Sequence, residues 1–209
     1  MKKVSIYMLL LCVATLFFNC QREIEFKKVT HDRNINVFEN IAKNLSPNKK
    51  YDYWAFIESR DFGDHKKEVE VLFEKGDFEK RKLIDLSYNR EGFYVAGHHS
   101  TYSFYILATG KNKVHEIRDL ESLISFLDKI DTEDEALLIA ILNGFSIDSC
   151  NKEGGSYRKN KDKYELLLFK SSILKERRQY LVTVKDNAKW DSIPKYVYCQ
   201  GYEKCDCNP

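Results

Sequence analysis

The chain predicts an α+β fold: a single antiparallel sheet of about six to eight strands with helices packed on one face. Three observations carry this. Segments with strand character fall in two blocks, between residues 51 and 117 and again after residue 163. Helical spacing appears separately, near residues 33–45 and 119–142. Thirteen Tyr and thirteen Phe favour strands. No repeat, low-complexity tract or linker divides the chain, so residues 32–209 read as one globular domain.

Each element has its own warrant. Asp32 is placed to cap a helix over residues 33–45, where Val37, Phe38, Ile41, Ala42 and Leu45 share one face. Ser46-Pro47-Asn48 stops it. Tyr51–Glu58 is aromatic and dense, as in a buried strand. Val69, Val71 and Phe73 alternate with Glu68, Glu70 and Leu72, a half-exposed strand. Lys75-Gly76-Asp77 turns the chain towards a further strand at Lys82–Tyr88. Phe93–Gly97 and Thr101–Ala108 predict a hairpin around His98-His99-Ser100. Thr109-Gly110-Lys111-Asn112 turns into Val114–Ile117.

Leu120, Leu123, Ile124 and Leu127 then form a helical stripe behind Asp119. Thr132 and Glu135 stand at capping-box spacing before Ala136–Leu142, a run apolar on all sides and therefore a buried helix. Asn143-Gly144 suits its C-terminal end. Tyr164–Phe169, Gln179–Val184 and Tyr196–Tyr198 complete the strands.

The N-terminus has a different character. Lys2 and Lys3 precede the apolar run Ile6–Phe18, which ends at Asn19-Cys20-Gln21. A charged start, a short apolar centre and a cleavage-type end describe an export signal; a comfortable transmembrane helix needs roughly 20 apolar residues. Leu16-Phe17-Phe18-Asn19-Cys20 resembles the lipobox of a bacterial lipoprotein. Asn19 stands where enterobacterial lipoboxes carry a small residue, and the sequence is closer to the Bacteroidetes type, which tolerates larger residues there. The resemblance covers about the first tenth of the chain. It implies a signal peptide over residues 1–19, cleavage before Cys20 and acylation (palmitate) of Cys20. The alternatives are an ordinary signal peptide and an uncleaved anchor. Residues 20–31 read as a polar tether. Gln21 after the Cys, with no Asp, points to the outer membrane, with its periplasmic or surface face open.

Loss of Lys2 and Lys3 with the signal brings the 34 basic residues level with the 32 acidic ones. A neutral, interspersed charge carries no electrostatic footprint for nucleic acid. A hydrophobic content of 43% excludes wholesale disorder.

Cys12 leaves with the signal and Cys20 carries lipid, so four cysteines remain: Cys150, Cys199, Cys205 and Cys207. An even number in an exported chain predicts two disulfides, with three pairings open. Pairing Cys150 with a tail cysteine would staple the loop Asn151–Ser156 to the chain end. The same four thiols could instead bind Zn²⁺ or Cu⁺, although paired C-x₂-C knuckles are missing.

Catalytic motifs are not evident. His98-His99 at a hairpin tip, and Asp61, Asp64 and His65 in one loop, form the metal or hydrolase alternative. Gly154-Gly155-Ser156 lacks the phosphate-loop pattern. Glu133, Asp134 and Glu135 suit a helix N-terminus. Tyr51, Tyr53, Trp54 and Phe56 read as a packed strand before a carbohydrate platform. Asp191-Ser192-Ile193 resembles the short O-glycosylation motif of Bacteroidetes envelope proteins. The expectation is a lipid-anchored envelope component that is non-enzymatic and without cofactor. Its partners are the membrane and, as a candidate, an envelope protein or glycan.

Overall fold

A computed structural model describes residues 24–32, 36–62, 67–88, 91–93, 102–171 and 176–200. Among these, nine strands form two antiparallel sheets, not one. The larger contains β1 (Lys27–Lys28), β6 (Gly155–Asn160), β7 (Lys163–Ser171), β8 (Glu176–Lys185) and β9 (Trp190–Gln200), in that spatial order. The smaller has the order β3-β2-β4-β5, from β2 (Tyr53–Asp61), β3 (Lys67–Gly76), β4 (Tyr102–Gly110) and β5 (Lys113–Ile117).

Among the described residues three α-helices lie between the sheets. α1 (Val37–Lys43) and α2 (Leu120–Leu127) pack on β3 and β5 of the smaller sheet. α3 (Glu133–Leu142) packs on β7 and β8 of the larger sheet and against both other helices. This layering corrects the single-sheet expectation, and its cause is α3. Ala136 through Ile141 are all buried. A helix on the outside of one sheet would leave half of such a cylinder in water, so α3 needs cover from two sides. One core therefore runs from Trp54, Phe56, Phe104 and Ile106 through Phe38 and Phe126 to α3, and on to Leu166, Leu168, Val182 and Val184. Phe38 packs against Phe104 and Phe56 at centroid separations of 4.2 and 5.8 Å.

Local chemistry sets the boundaries. Asn36 caps α1 through its side chain, in place of Asp32. Asp119 caps α2 in a reciprocal box with Ser122. Thr132 and Glu135 form the expected box on α3, and such a cap contributes about 1 kcal/mol. Lys111 and Asn112 take positive φ and make the two-residue turn between β4 and β5.

Three expectations shift. Lys82–Tyr88 joins neither sheet. Phe78–Leu83 is a 3-10 helix, and residues 84–88 lie outside any strand. The Gly-rich segment is not a flexible loop. Gly155 begins β6, and a Cβ there would stand 2.1 Å from the Asp148 carbonyl oxygen; one on Gly154 would stand 2.2 Å from the Tyr198 hydroxyl. These glycines permit close approach of chain to chain. The last strand is also longer than Tyr196–Tyr198, spanning Trp190–Gln200 with two irregularities against β8.

Candidate functional site

Cys20, Asp64, His65, His98, His99, Cys205 and Cys207 lie outside the described residues. Asp61 closes β2 and accepts a hydrogen bond from the Tyr88 hydroxyl at 3.1 Å. Among the described residues no group of three or more His, Cys, Asp or Glu could hold a metal ion. Tyr53, Trp54 and Phe56 are buried on both faces of β2, which removes them as a carbohydrate platform. Ser192 is paired with the core residue Val182 and shares its side of the sheet.

Two places gather polar chemistry. The first is the start of α3, where three consecutive acids each bind a different segment. The Glu133 carboxylate accepts from the Tyr157 hydroxyl on β6 at 3.0 Å. Burial, and then this bond, push the Tyr157 phenol up to about 12. Glu135, fully buried, accepts backbone N–H bonds from Ser46 and Asp131 at 2.7 Å and from Thr132 at 3.0 Å. Desolvation raises its carboxyl above the ordinary range, against the pull of those three donors.

Asp134 accepts from His31 Nε2 at 2.7 Å and from the Asn44 amide at 2.5 Å. Sequence reasoning saw these acids as dipole partners and missed His31, 103 residues away from Asp134. His31 lines a concavity of about 230 Å³ with Val29, Asp32, Val37, Asn40, Ile147 and Ser149. An Asp–His pair beside a serine suggests acid–base work, but the free ring nitrogen decides against it. Nδ1 is buried and has no hydrogen-bond partner among the described residues. With Nε2 held by Asp134, a catalytic imidazole would need Nδ1 open to a reacting molecule. The pair is a post that holds the N-terminal strap on α3.

The second place is the outer side of the larger sheet. Leu167, Leu181 and Ile193 lie across from one another on β7, β8 and β9. They face away from α3, since their neighbours Leu166, Leu168 and Val182 belong to the core. Ile193 is 51% exposed. Above this row the strap residues Ile24, Glu25 and Phe26 form one wall of a concavity of about 600 Å³, rimmed by Lys152, Arg158 and Lys195. Arg158 donates to Glu165 at 2.5 Å and to the Ile24 carbonyl at 3.1 Å, and its guanidinium stacks 4.4 Å from the Phe26 ring centroid. Burial alone would raise the Glu165 carboxyl, but bonds from Lys163 and Arg158 hold it below the ordinary value. A signal for this face was available. Leu166, Leu167 and Leu168 are consecutive, and a strand with period two must put one of them opposite the other two.

At one end of the same sheet the loop after α3 folds over β8 and β9. Asp148 accepts from Arg177 and from the Tyr198 hydroxyl, both at 2.9 Å, and from the Cys150 and Asn151 amides at 3.0 and 3.1 Å. Gln179 donates to the Glu153 carbonyl. Cys150 is thus one amide away from the carboxylate that holds Tyr198, the neighbour of Cys199. Cys199 is buried and Cys150 half-buried. The other two candidate cysteines, Cys205 and Cys207, lie outside the described residues, so the three pairings stay open.

Comparison of the chain with protein-family models, with curated proteins and with solved structures gives no match.

Proposed function

We propose that this chain is a lipid-anchored component of a bacterial cell envelope, attached through an acylated Cys20 and acting by binding or structural support rather than by catalysis. The observation that carries the reading is the lipobox-like Leu16-Phe17-Phe18-Asn19-Cys20, followed only four residues later by Ile24, which already lies against the domain. Lys27–Lys28 pair with β6 and Val29 enters the core, so the strap segment is held on the fold. This is the arrangement expected of a domain carried close to its anchor. Two or more acyl chains give stable attachment, each buried CH₂ contributing about 0.8 kcal/mol.

The outer membrane is the proposed location, on its periplasmic or surface face, and an envelope protein or glycan the proposed further partner class. A staple from Cys150 to a tail cysteine is part of the same reading. It is supported by the Asp148 contacts to Arg177 and Tyr198, which lay the loop against β8 and β9 beside Cys199.

Mass spectrometry of the membrane-extracted protein tests the anchor. The expected N-terminus is acylated Cys20, and Cys20→Ala should release the protein from the membrane fraction. Wild-type membrane retention of that variant would remove the proposal. Thiol titration of the unreduced, denatured protein tests the staple: four titratable thiols, with or without released Zn²⁺ or Cu⁺, would defeat it.

A further inference from the structure

We infer that the outer face of the five-stranded sheet is a membrane-docking surface, its occupant the phosphate-bearing headgroups of the bilayer in which Cys20 is anchored; the inference rests on the anchor proposed above. Three observations converge on this face.

The first is reach. Cys20 and Ile24 are four residues apart, and an extended chain spans at most about 3.6 Å per residue. Whatever path residues 21–23 take, the acylated cysteine lies within about 14 Å of Ile24. Ile24 sits on the wall of the concavity over Leu167 and Leu181. The bilayer therefore meets the domain at this sheet first, with the four-stranded sheet on the far side of the helix layer.

The second is the chemistry of the face. The row Leu167, Leu181 and Ile193 is apolar, and Ile24 beside it is half exposed. Lys152 and Lys195 stand exposed at the rim, with Arg158 between them and the strap. Glu25 lines the same concavity, and Asp191 on β9 is paired with Thr183 on this side. A basic rim around an apolar floor matches a lipid surface, where long cationic side chains reach phosphates and short apolar ones enter the boundary region.

The third is the contrast with the other sheet. Its outer face, Tyr53, Ala55, Ile57, Tyr105 and Leu107, is sealed by Ile84 and Leu86 of the chain itself. Among the described residues no segment covers Ile193 in this way, Leu181 is only partly exposed, and Ile24–Phe26 reach only one side of the row. A tethered contact needs little intrinsic affinity, because the anchor supplies a high local concentration of its partner.

The test uses the lipidated full chain in vesicles of phosphatidylethanolamine with a minority of phosphatidylglycerol. A membrane-impermeant amine-reactive reagent is applied and each lysine is read by mass spectrometry. Lys152 and Lys195 should label about threefold or more slowly than in the soluble Cys20→Ala protein, consistent with cations held at an anionic surface. Lys75 and Lys113, on the four-stranded sheet, should label equally in both. Ile193→Glu with Lys195→Glu changes two exposed positions, so folding is preserved; this variant should still be acylated and pellet with vesicles, yet lose the slow labelling of Lys152. If Cys20 is unacylated and the chain stays in solution, the anchor fails and this inference with it. Should the chain be acylated and pellet while Lys152 and Lys195 label at the solution rate, the docking face is overturned and the anchor stands. Slow labelling in native membranes but not in pure lipid would assign the face to an envelope protein and likewise overturn the lipid as occupant.

Discussion

The two sheets of this protein solve the same problem in opposite ways. Each has an inner face in the common core and an outer face that is also apolar. On the four-stranded sheet the outer face is closed. Residues 84–88 cross it, Ile84 and Leu86 pack on Tyr53, Ala55, Ile57, Tyr105 and Leu107, and the Tyr105 hydroxyl donates to the Ser87 carbonyl at 3.3 Å. Tyr53 makes an edge contact with Phe78, just before the crossing segment, and donates to Glu74 on the neighbouring strand at 2.5 Å. On the five-stranded sheet the corresponding row, Leu167, Leu181 and Ile193, keeps partial exposure under a strap of three residues. A closed outer face contributes to stability. An open one contributes little to stability and is available to a partner.

The largest expected effect lies in that difference. Tyr105→Ala removes a fully buried ring and the bond to Ser87, and should cost about 3–4 kcal/mol. Leu181→Ala, at the matching place on the open face, should cost less, about 2 kcal/mol, because part of its surface is already in water. Urea denaturation of both variants measures the comparison. Equal losses would mean that the two outer faces are equally sealed in solution.

The next effect concerns buried carboxylates. Glu58 is 2% exposed, faces the core side of β2, and is met by Arg60 at 2.6 Å, which also reaches Glu70 at 2.6 Å. Arg60→Ala leaves that charge buried and should cost about 3 kcal/mol. On the other sheet Glu165 has two cations, Arg158 at 2.5 Å and Lys163 at 2.6 Å. Arg158→Ala leaves Lys163 in place, so a loss of about 1 kcal/mol is expected by the same measurement.

Glu165 also gives the comparison a pH dependence. Its carboxyl is held below its ordinary value of 4.5 in the folded state. The unfolded chain therefore binds the proton first on acidification. The stability this group supplies is present above that ordinary value and is lost as pH falls through the lowered folded value. Urea midpoints followed from neutral pH down through the carboxylate range should fall less steeply in Glu165→Gln than in the wild type. An unchanged slope would show that Lys163 and Arg158 do not hold the carboxylate in solution.

Much of this was readable in the sequence, and what was not has physical reasons. α2 and α3 were visible because period and caps agree: Asp119 before the Leu120–Leu127 stripe, Thr132 and Glu135 before the apolar run. The division into two sheets was not. Strand periodicity tells which residues share a face, but not which ladder a strand joins. Ile84, Leu86 and Tyr88 alternate as a strand should, yet they lie across a sheet's face instead of extending its edge. The clue lay in α3 itself, whose apolar surface all round required cover from two layers. β6 was hidden because Gly154 and Gly155 read as a loop, whereas they serve close packing against Asp148 and Tyr198. His31 was one of five histidines with no local pattern, and only the fold brings it to Asp134.

The smallest expected effect sharpens the comparison most, because it separates stability from docking. Ile193 points outward from β9, half exposed, with Leu181 opposite on β8. Replacing it by Ser removes apolar surface that folding scarcely buries, so the soluble Cys20→Ala protein should change in stability by less than about 0.5 kcal/mol. β-propensity favours Ile over Ser only slightly at such an edge position. On the sealed face the same change, Ile57→Ser, would remove a fully buried side chain and leave a hydroxyl without an assured partner, a loss of several kcal/mol on the order seen for large core truncations. A near-zero result at Ile193 says that folding does not require an isoleucine there and leaves its side chain available for the proposed membrane contact. A loss above about 1 kcal/mol would instead show that the strap and its neighbours bury Ile193 in solution, and the outer face of the larger sheet would then count as closed like its counterpart.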